Sequence, residues 1–206
     1  MSMTSRTITT DAIARCEAAP DLAIVEAVAI GEAESAGAAR AIAKDRAFTL
    51  RKSVTDVSPD QVRTVDLQVQ DTDEIFDPAT DAPFQATERL HIECLPENAE
   101  AVVVDVTTAG GQIQSVHFHL HEDKHLELQN KAIRSAMERA REKAEQIASV
   151  EGLVLAEIQE ATTKEVSTGL ETIADEAFAS SPDTNLHPAP ITVSEGVEVV
   201  YELAEK

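Results

Sequence analysis

The segment from Ser115 to Ile158 limits the choice of fold more than any other part of the chain. It begins with histidines that alternate with apolar residues, which predicts a strand over 112–121. A helix over 124–151 follows, and Gly152 leads into a further strand over 153–162. The helix carries alanine or a larger apolar residue on every turn: Leu126, Ile133, Ala136, Met137, Ala140, Ala144, Ile147 and Ala148. Such a period predicts a long alanine-rich helix that packs on a sheet.

The rest of the chain also interleaves strand and helix patterns. Alternation of apolar and polar residues predicts further strands over 7–17, 22–34, 61–70, 84–94 and 191–203. Ser35 as N-cap predicts a helix to about Val54, and Pro96 in a first turn opens another helix that ends near Ala109. We therefore predict an α+β fold with a mixed, mostly antiparallel sheet and about three helices packed on it.

Several positions add local detail to this assignment. Gly31, inside the second strand, predicts a β-bulge, and Gly110-Gly111 predicts the C-cap of the middle helix. The strand over 61–70 is predicted to be half-buried through its alternating apolar residues: Val62, Val65, Leu67 and Val69. Residues 163–190 are predicted to form a polar loop or linker, with a short helix at 170–178. We expect residues 7–203 to form one domain.

The net charge is −21, from 38 acidic and 17 basic residues. This balance argues against nucleic acid as a partner, because a phosphate backbone needs a basic surface. It argues equally against an anionic membrane. The acid is spread along the whole chain, which leaves two interpretations. The protein either seeks basic partners or is adapted to a salty cytoplasm, where salt screens its self-repulsion; we favour the second.

The remaining composition predicts a cytoplasmic protein. The N-terminus shows no secretory signal, and no run of about 18 apolar residues predicts a transmembrane helix. Cys16 and Cys94 lie far apart without CxxC spacing, which favours two buried free thiols over a cross-sheet disulfide. No GxSxG, GxGxxG or Walker motif is present, so neither nucleophilic catalysis nor nucleotide chemistry is expected. We expect no enzyme activity.

The histidines between 117 and 125 suggest a metal site. On a strand, His117, His119 and His121 share one face, with neighbours about 6.6 Å apart. Adjacent pairs can converge on one metal, whereas the outer two, about 13 Å apart, cannot. His119, His121 and His125 are therefore the candidate ligands of a divalent transition metal, where the strand gives way to the helix.

Acidic neighbours offer substitute ligands at the same junction. Glu122 or Asp123 would complete a set with His119 or His121 in place of His125. The competing interpretation is a solvent-facing row of histidines that alternate with buried Phe118, and we favour it because the spacing alone does not make ligands converge. No other cofactor is expected.

Four pieces of the chain resemble the SIMPL-domain family. The first is Ala19-Pro20-Asp21, which enters a Val-rich strand, and the second is Phe84-Gln85-Ala86-Thr87. The third runs from Ser115 through Leu155 and includes the alanine helix. The fourth is the closing pattern Val197-x-Val199-x-Tyr201-x-Leu203. Their order and spacing fit the family across roughly residues 7 to 203.

The resemblance implies little about chemistry. The family is named for a mammalian signalling protein that associates with a kinase, many bacterial members are periplasmic or envelope proteins, and some form ring-like oligomers. It has no established common catalytic site. This chain departs from the family at Ala156, where Gly is common, and in its histidines.

The leading hypothesis is therefore a non-enzymatic SIMPL-like interaction or scaffold protein. We expect homo-oligomers, with another protein as a further partner. Strand edges and the exposed side of the alanine-rich helix are the expected contact surfaces. The alternative hypothesis is a metal- or small-ligand-binding protein that uses the histidine-rich segment 117–125.

Overall fold

The structure is a computed structural model that describes residues 6–72, 81–165 and 188–205. Within these ranges the strands are β1 (Arg6–Ala18), β2 (Leu22–Ala33), β3 (Val62–Asp71), β4 (Phe84–Cys94), β5 (Gln112–His119), β6 (Leu153–Glu165) and β7 (Ile191–Glu205). The helices are α1 (Ala36–Ser53), α2 (Ala99–Thr108) and α3 (Glu122–Val150). All strand pairs are antiparallel. The predicted α+β class is confirmed.

The strands form two sheets, and the described residues fall into two compact units. Unit 1 contains α3 and a three-stranded sheet in the order β1-β7-β6. Unit 2 contains α1, α2 and a four-stranded sheet in the order β3-β4-β2-β5. The prediction that residues 7–203 form a single domain stays a prediction.

In unit 1 the alanines of α3 form the packing face. Every fourth residue along the helix is alanine and is buried: Ala132, Ala136, Ala140, Ala144 and Ala148. The middle three, Ala136, Ala140 and Ala144, pack with Ala14 of β1 and with Val197, Val199 and Tyr201 of β7. Because alanine is small, the strand approaches the helix backbone, and the Thr10 hydroxyl donates a hydrogen bond to the Ala140 carbonyl at 2.9 Å. This close packing explains the alanine period.

In unit 2 one face of the sheet carries the core. Alternate residues of β2 and β4 are buried and pack with apolar residues of α1 and α2: Val25, Ala27, Leu90, Ile92, Leu50, Val102 and Val106. Helix α1 begins where predicted, since the Ser35 hydroxyl accepts a hydrogen bond from the Ala38 amide at 3.3 Å. Gly110, at φ 85°, ends α2 as predicted.

The predicted bulge at Gly31 is wrong. Gly31 pairs in regular register with Ala86 of β4. A Cβ atom at this position would lie 2.2 Å from the Ala39 carbonyl oxygen and 2.4 Å from the Ala43 amide nitrogen. Glycine is therefore required because α1 lies directly on the strand. The irregularity that involves β2 falls instead in its pairing with β5, where the register shifts between Glu26 and Ala27 and Gln114 is the extra residue on β5.

Other predicted boundaries shift by a few residues. Strand β5 ends at His119 instead of continuing to 121, and β6 extends to Glu165, into the predicted loop at 163–190. Most of that loop, and the short helix predicted at 170–178, lie outside the described residues. Among the helices that the structure describes, none has the length and apolar character needed to cross a membrane.

Candidate functional site

The predicted metal-binding histidines lie at the junction between β5 and α3. His117 and His119 are both on β5, and their ring centroids are 6.2 Å apart. The structure does not keep His121 on that strand. It is the N-cap residue of α3, with φ −56° and ψ 149°, because the helix begins at Glu122. The prediction that three histidines share one strand face is wrong for His121.

His121 and His125 share the first turn of α3. The His125 amide donates a hydrogen bond to the His121 carbonyl at 2.9 Å, which places the two residues one helical turn apart. His119 belongs to unit 2, whereas these two residues belong to unit 1. Across residues 6–72, 81–165 and 188–205, no group of three or more His, Cys, Asp or Glu residues is placed to hold a metal ion. The metal site stays a prediction.

A second candidate surface is the edge strand β3. The prediction that β3 is half-buried is wrong beyond its first residue: Val62 is buried, but the side chains of Val65, Leu67 and Val69 are 53%, 38% and 40% exposed. Alternation in the sequence identifies an apolar face correctly. It does not reveal that the strand lies at the edge of the sheet, where α1 leaves that face uncovered.

The register of β3 places Leu67 and Val69 on the helix side of the sheet. Leu67 lies opposite Glu88, and Val69 lies opposite Ala86. Directly opposed residues in an antiparallel pair point to the same face, and both β4 partners are buried. A bulge between Thr64 and Asp66 precedes this regular stretch.

A polar network around the buried Glu88 carboxylate fixes β3 at that bulge. Arg51 of α1 donates to Glu88 at 2.9 Å and also to the Thr64 hydroxyl. The same hydroxyl donates to Glu88 at 2.7 Å. The Glu88 side chain is only 7% exposed, so its charge is compensated by two donors instead of water. The network ties the edge strand to both its neighbouring strand and the helix.

A family comparison identifies the chain. The family model SIMPL, described as "Protein of unknown function (DUF541)", matches residues 8–201. The chain belongs to the SIMPL family. No curated protein matches it. The match covers all seven described strands in whole or in part, so both units belong to the family region.

Like β3, strand β1 of this SIMPL protein is an edge strand, and it lies beside the long helix α3. Arg139 of α3 donates to the Ile13 carbonyl at 2.9 Å, and Lys143 donates to the Asp11 carbonyl at 3.3 Å. Two backbone acceptors of β1 are thus occupied by basic side chains. In the described part of the SIMPL chain, no side chain donates to a backbone carbonyl between residues 65 and 69 of β3.

The far face of the unit 2 sheet carries a polar cluster that the sequence pattern did not reveal. The His91 Nε2 atom lies 3.5 Å from Glu93, and Arg63 lies 3.9 Å from the same carboxylate. Nearby on β2, Glu26 accepts a hydrogen bond from Ser115 at 3.2 Å. The alternation of β4 predicts a polar face, but only the register brings Glu26 opposite His91. Apart from Arg63, which is mostly exposed, these contacts pair half-buried side chains with one another.

The two cysteines of this SIMPL protein are free thiols, as predicted. Cys94 is buried at the end of β4, and burial raises the pKa of its thiol to about 11. The thiol is therefore protonated at neutral pH and is a poor nucleophile. Cys16, on β1, is partly exposed, so the prediction that both thiols are buried is wrong for Cys16.

Proposed function

We propose that this SIMPL-family protein is a non-enzymatic interaction protein that acts as a homo-oligomeric scaffold. The observation that supports the proposal best is the position of β3 at the edge of its sheet among the described strands, where Val65, Leu67 and Val69 are exposed. An edge strand presents a row of unpaired N–H and C=O groups. A strand that pairs with it gains those hydrogen bonds and buries the apolar row. Such a surface is suited to binding another polypeptide.

A second copy of the chain is the partner we favour over a different protein. Oligomers are most often built from identical chains related by two-fold symmetry. A strand edge can satisfy such symmetry with a single surface, because an antiparallel pair is itself two-fold symmetric. A different protein bound at the same edge is the alternative partner.

Light scattering on the full chain tests this proposal. The chain has a mass of 22.1 kDa, and the proposal expects a molar mass of at least twice that value as concentration rises in molar salt. Molar salt is used because each copy carries a net charge of −21, and screening reduces the repulsion between copies. A constant monomer mass up to millimolar concentration would contradict the scaffold proposal.

We place the protein in the cytoplasm. Both cysteines are free, and free thiols persist in reducing compartments. Fractionation of the native cell, with an antibody against the chain, tests the assignment. Recovery in the envelope fraction would contradict it.

The charge further supports adaptation to a salty cytoplasm. Acidic residues outnumber basic residues by 38 to 17, and the resulting self-repulsion opposes the compact state unless salt screens it. Melting measured across a salt series from 0.1 M to several molar tests this point. We expect the melting temperature to rise with salt; a melting temperature that is indifferent to molar salt would contradict it.

A second candidate function is metal binding at the β5–α3 junction. The observation that favours it is the spacing of His121 and His125, which lie one turn apart at the start of α3. The hydrogen bond from the His125 amide to the His121 carbonyl holds the two residues within one turn of each other, and imidazoles are common ligands of Zn²⁺.

Thermal melting with added Zn²⁺ tests the metal site. The proposal expects Zn²⁺ to raise the melting temperature and to raise it less in the His121→Ala and His125→Ala variants. His91→Ala is the matched control, since His91 lies on the far face of the unit 2 sheet. Equal stabilisation of all variants by Zn²⁺ would contradict binding at the junction.

A further inference from the structure

We propose that the outer face of α1 binds the acidic face of α2 in a second copy of this chain. The outer face of α1 is a row of residues spaced four apart: Arg40, Lys44, Phe48 and Lys52. The acidic face of α2 includes the turn before the helix: Glu97, Glu100, Val104 and Asp105. The two surfaces differ, so the contact is heterologous, and α1 of one copy meets α2 of the next. This inference rests on the proposed function, because it names a surface, separate from the β3 edge, through which the scaffold assembles.

The first argument is that α1 concentrates positive charge in a strongly acidic chain. Its 18 residues contain five basic residues and one acidic residue, although the whole chain has a net charge of −21. Two copies with this charge repel each other, so a contact between them must join surfaces of opposite sign. Of the three helices that the structure describes, α1 is the one with an excess of basic residues.

Three of these cations are left over for a contact with another chain. Arg46 and Arg51 are occupied within unit 2, where both donate hydrogen bonds. Arg40, Lys44 and Lys52 are exposed, and none of the three has an ion pair or hydrogen bond with another described residue. Like charges four apart on a helix, such as Arg40 and Lys44, destabilise it. An acidic partner would remove that cost.

The second argument is that α2 carries charge of the opposite sign. From Pro96 to Thr108 the described chain contains no basic residue. The acidic face of α2 lines one concave patch, together with Ala101. Helix α3, by contrast, carries acidic and basic residues in equal number, so its charges balance. Among the described helices, α2 is therefore the one that complements α1.

The third argument is that each surface has an exposed apolar side chain among its charges. Phe48 is 55% exposed, and the Lys52 ammonium lies 4.4 Å from the centre of its ring. Val104 is also 55% exposed, between Glu100 and Asp105. Contact between the two surfaces removes these apolar groups from water and leaves the charges around them, as in interfaces with an apolar core and a polar rim.

The fourth argument is the spacing of the charges. Lys44 and Lys52 are eight positions apart, about 12 Å along the helix, and Glu97 and Asp105 are eight positions apart as well. Phe48 lies midway between the two lysines. When both lysines face the two carboxylates, in either helix direction, Phe48 falls opposite Ala101, whose small side chain leaves room for the ring.

Charge reversal on each surface tests the inference. We expect Lys44→Glu and Glu100→Lys each to raise the dissociation constant for self-association at least about tenfold, in light scattering on the full chain in molar salt. A direct ion pair is about as short as the Debye length of about 3 Å at 1 M salt, so the contact survives while the long-range repulsion is screened. Lys131→Glu and Glu127→Lys are the matched controls, because both residues are exposed on α3 and the net charge changes equally.

An equimolar mixture of the two variants gives the decisive measurement. The α1 surface of Lys44→Glu and the α2 surface of Glu100→Lys have opposite signs, and so do the two surfaces that remain unchanged. We therefore expect the mixture to recover the association of the wild type. A misfolded variant could not be rescued in this way. A mixture that associates no more strongly than either variant alone would overturn the inference.

The remaining outcomes separate this inference from the scaffold proposal. An oligomer that neither reversal weakens more than its α3 control overturns the α1–α2 contact and leaves the scaffold proposal standing. An oligomer weakened by Lys44→Glu but not by Glu100→Lys also overturns it, because α1 then contacts a different acidic surface. A wild-type chain that stays monomeric overturns both proposals.

Discussion

Strands β1 and β3 are both edge strands beside a long helix, but the two helices contact their edges differently. In unit 1, Arg139 and Lys143 of α3 donate to backbone carbonyls of β1. In unit 2, Arg51 of α1 reaches the Thr64 side chain and Glu88 of the neighbouring strand. A basic helix residue thus occupies the pairing groups of one edge. On the β3 edge, Arg51 holds the strand in place and leaves the backbone pairing groups of the strand available.

The difference shows that a helix can protect an edge strand or prepare it for a partner. Occupied carbonyls cannot template another strand, because their acceptors are already used. A strand that such a network already holds in place loses little conformational freedom when it binds a partner. The entropic cost of ordering the strand therefore reduces the binding free energy less. If the chain self-associates as proposed, basic helix residues hinder strand pairing at β1 and favour it at β3.

The largest expected effect comes from lifting α1 off the sheet of unit 2. Gly31→Ala places a Cβ atom 2.2 Å from the Ala39 carbonyl oxygen, so strand and helix must separate. We expect the free energy of unfolding to fall by about 3 kcal/mol, the upper part of the range for overpacked interiors. Denaturant unfolding monitored by circular dichroism measures it.

Gly37→Ala is the control for Gly31→Ala. Gly37 lies in the first turn of α1, and an added Cβ there meets no atom within 4 Å. Alanine at a helical position is more favourable than glycine by about 0.5–1 kcal/mol, so this variant should be slightly more stable than wild type. Thiol labelling localises the damage: Cys94 of unit 2 should become reactive in Gly31→Ala, with little change at Cys16 of unit 1. Equal stability of the two variants would contradict the close approach of α1.

The next effect comes from removing the network that fixes β3. Glu88→Ala deletes the acceptor of Arg51 and Thr64, and we expect a loss of about 2 kcal/mol, typical of hydrogen bonds to a buried charged group. Glu93→Ala on the opposite face of β4 is the control. Its contacts with His91 and Arg63 are longer, at 3.5 Å and 3.9 Å, and its loss should cost less than about 1 kcal/mol. A reversed order would mean that the network does not hold the strand.

A smaller effect is expected where β1 loses its protection. The double variant Arg139→Ala, Lys143→Ala frees the carbonyls of Ile13 and Asp11, at a cost of about 1 kcal/mol in stability for the exposed hydrogen bonds. Because the edge then resembles β3, we expect light scattering to show more self-association than in wild type. Unchanged or weaker association would show that these side chains do not protect the edge.

The sequence predicted the elements of both units well, because their signals are local. Ser35 marks the start of α1 through its hydroxyl cap, and the alanine period of α3 marks the buried face. Gly110 ends α2 through its left-handed backbone. Each of these signals acts within a few residues of the position that it determines.

The candidate surfaces were predicted less well, because they depend on pairing between distant strands. The alternation of apolar residues in β3 predicted that one face of the strand is buried. Only the strand order shows that β3 lies at the edge of the sheet, where α1 does not cover Leu67 and Val69. Gly31 predicted a β-bulge in its strand. The structure instead requires glycine there because helix α1 packs directly over the strand. His121 continued the strand alternation but begins a helix, since Glu122 and Asp123 favour its N-terminus.

The smallest expected change in stability tests whether the exposed apolar side chains of β3 contribute to folding or to binding a second chain. Leu67→Thr and Val69→Thr replace exposed side chains with a residue that is common in strands, so each should change the monomer's free energy of unfolding by less than about 0.5 kcal/mol. Leu90→Thr, on the adjacent strand and fully buried, should cost about 3 kcal/mol. Chemical denaturation of dilute protein measures all three. If the β3 variants destabilise the monomer as much as Leu90→Thr, the row is part of the core. If they leave the stability of the monomer unchanged and weaken association, the apolar side chains of β3 bind a second chain.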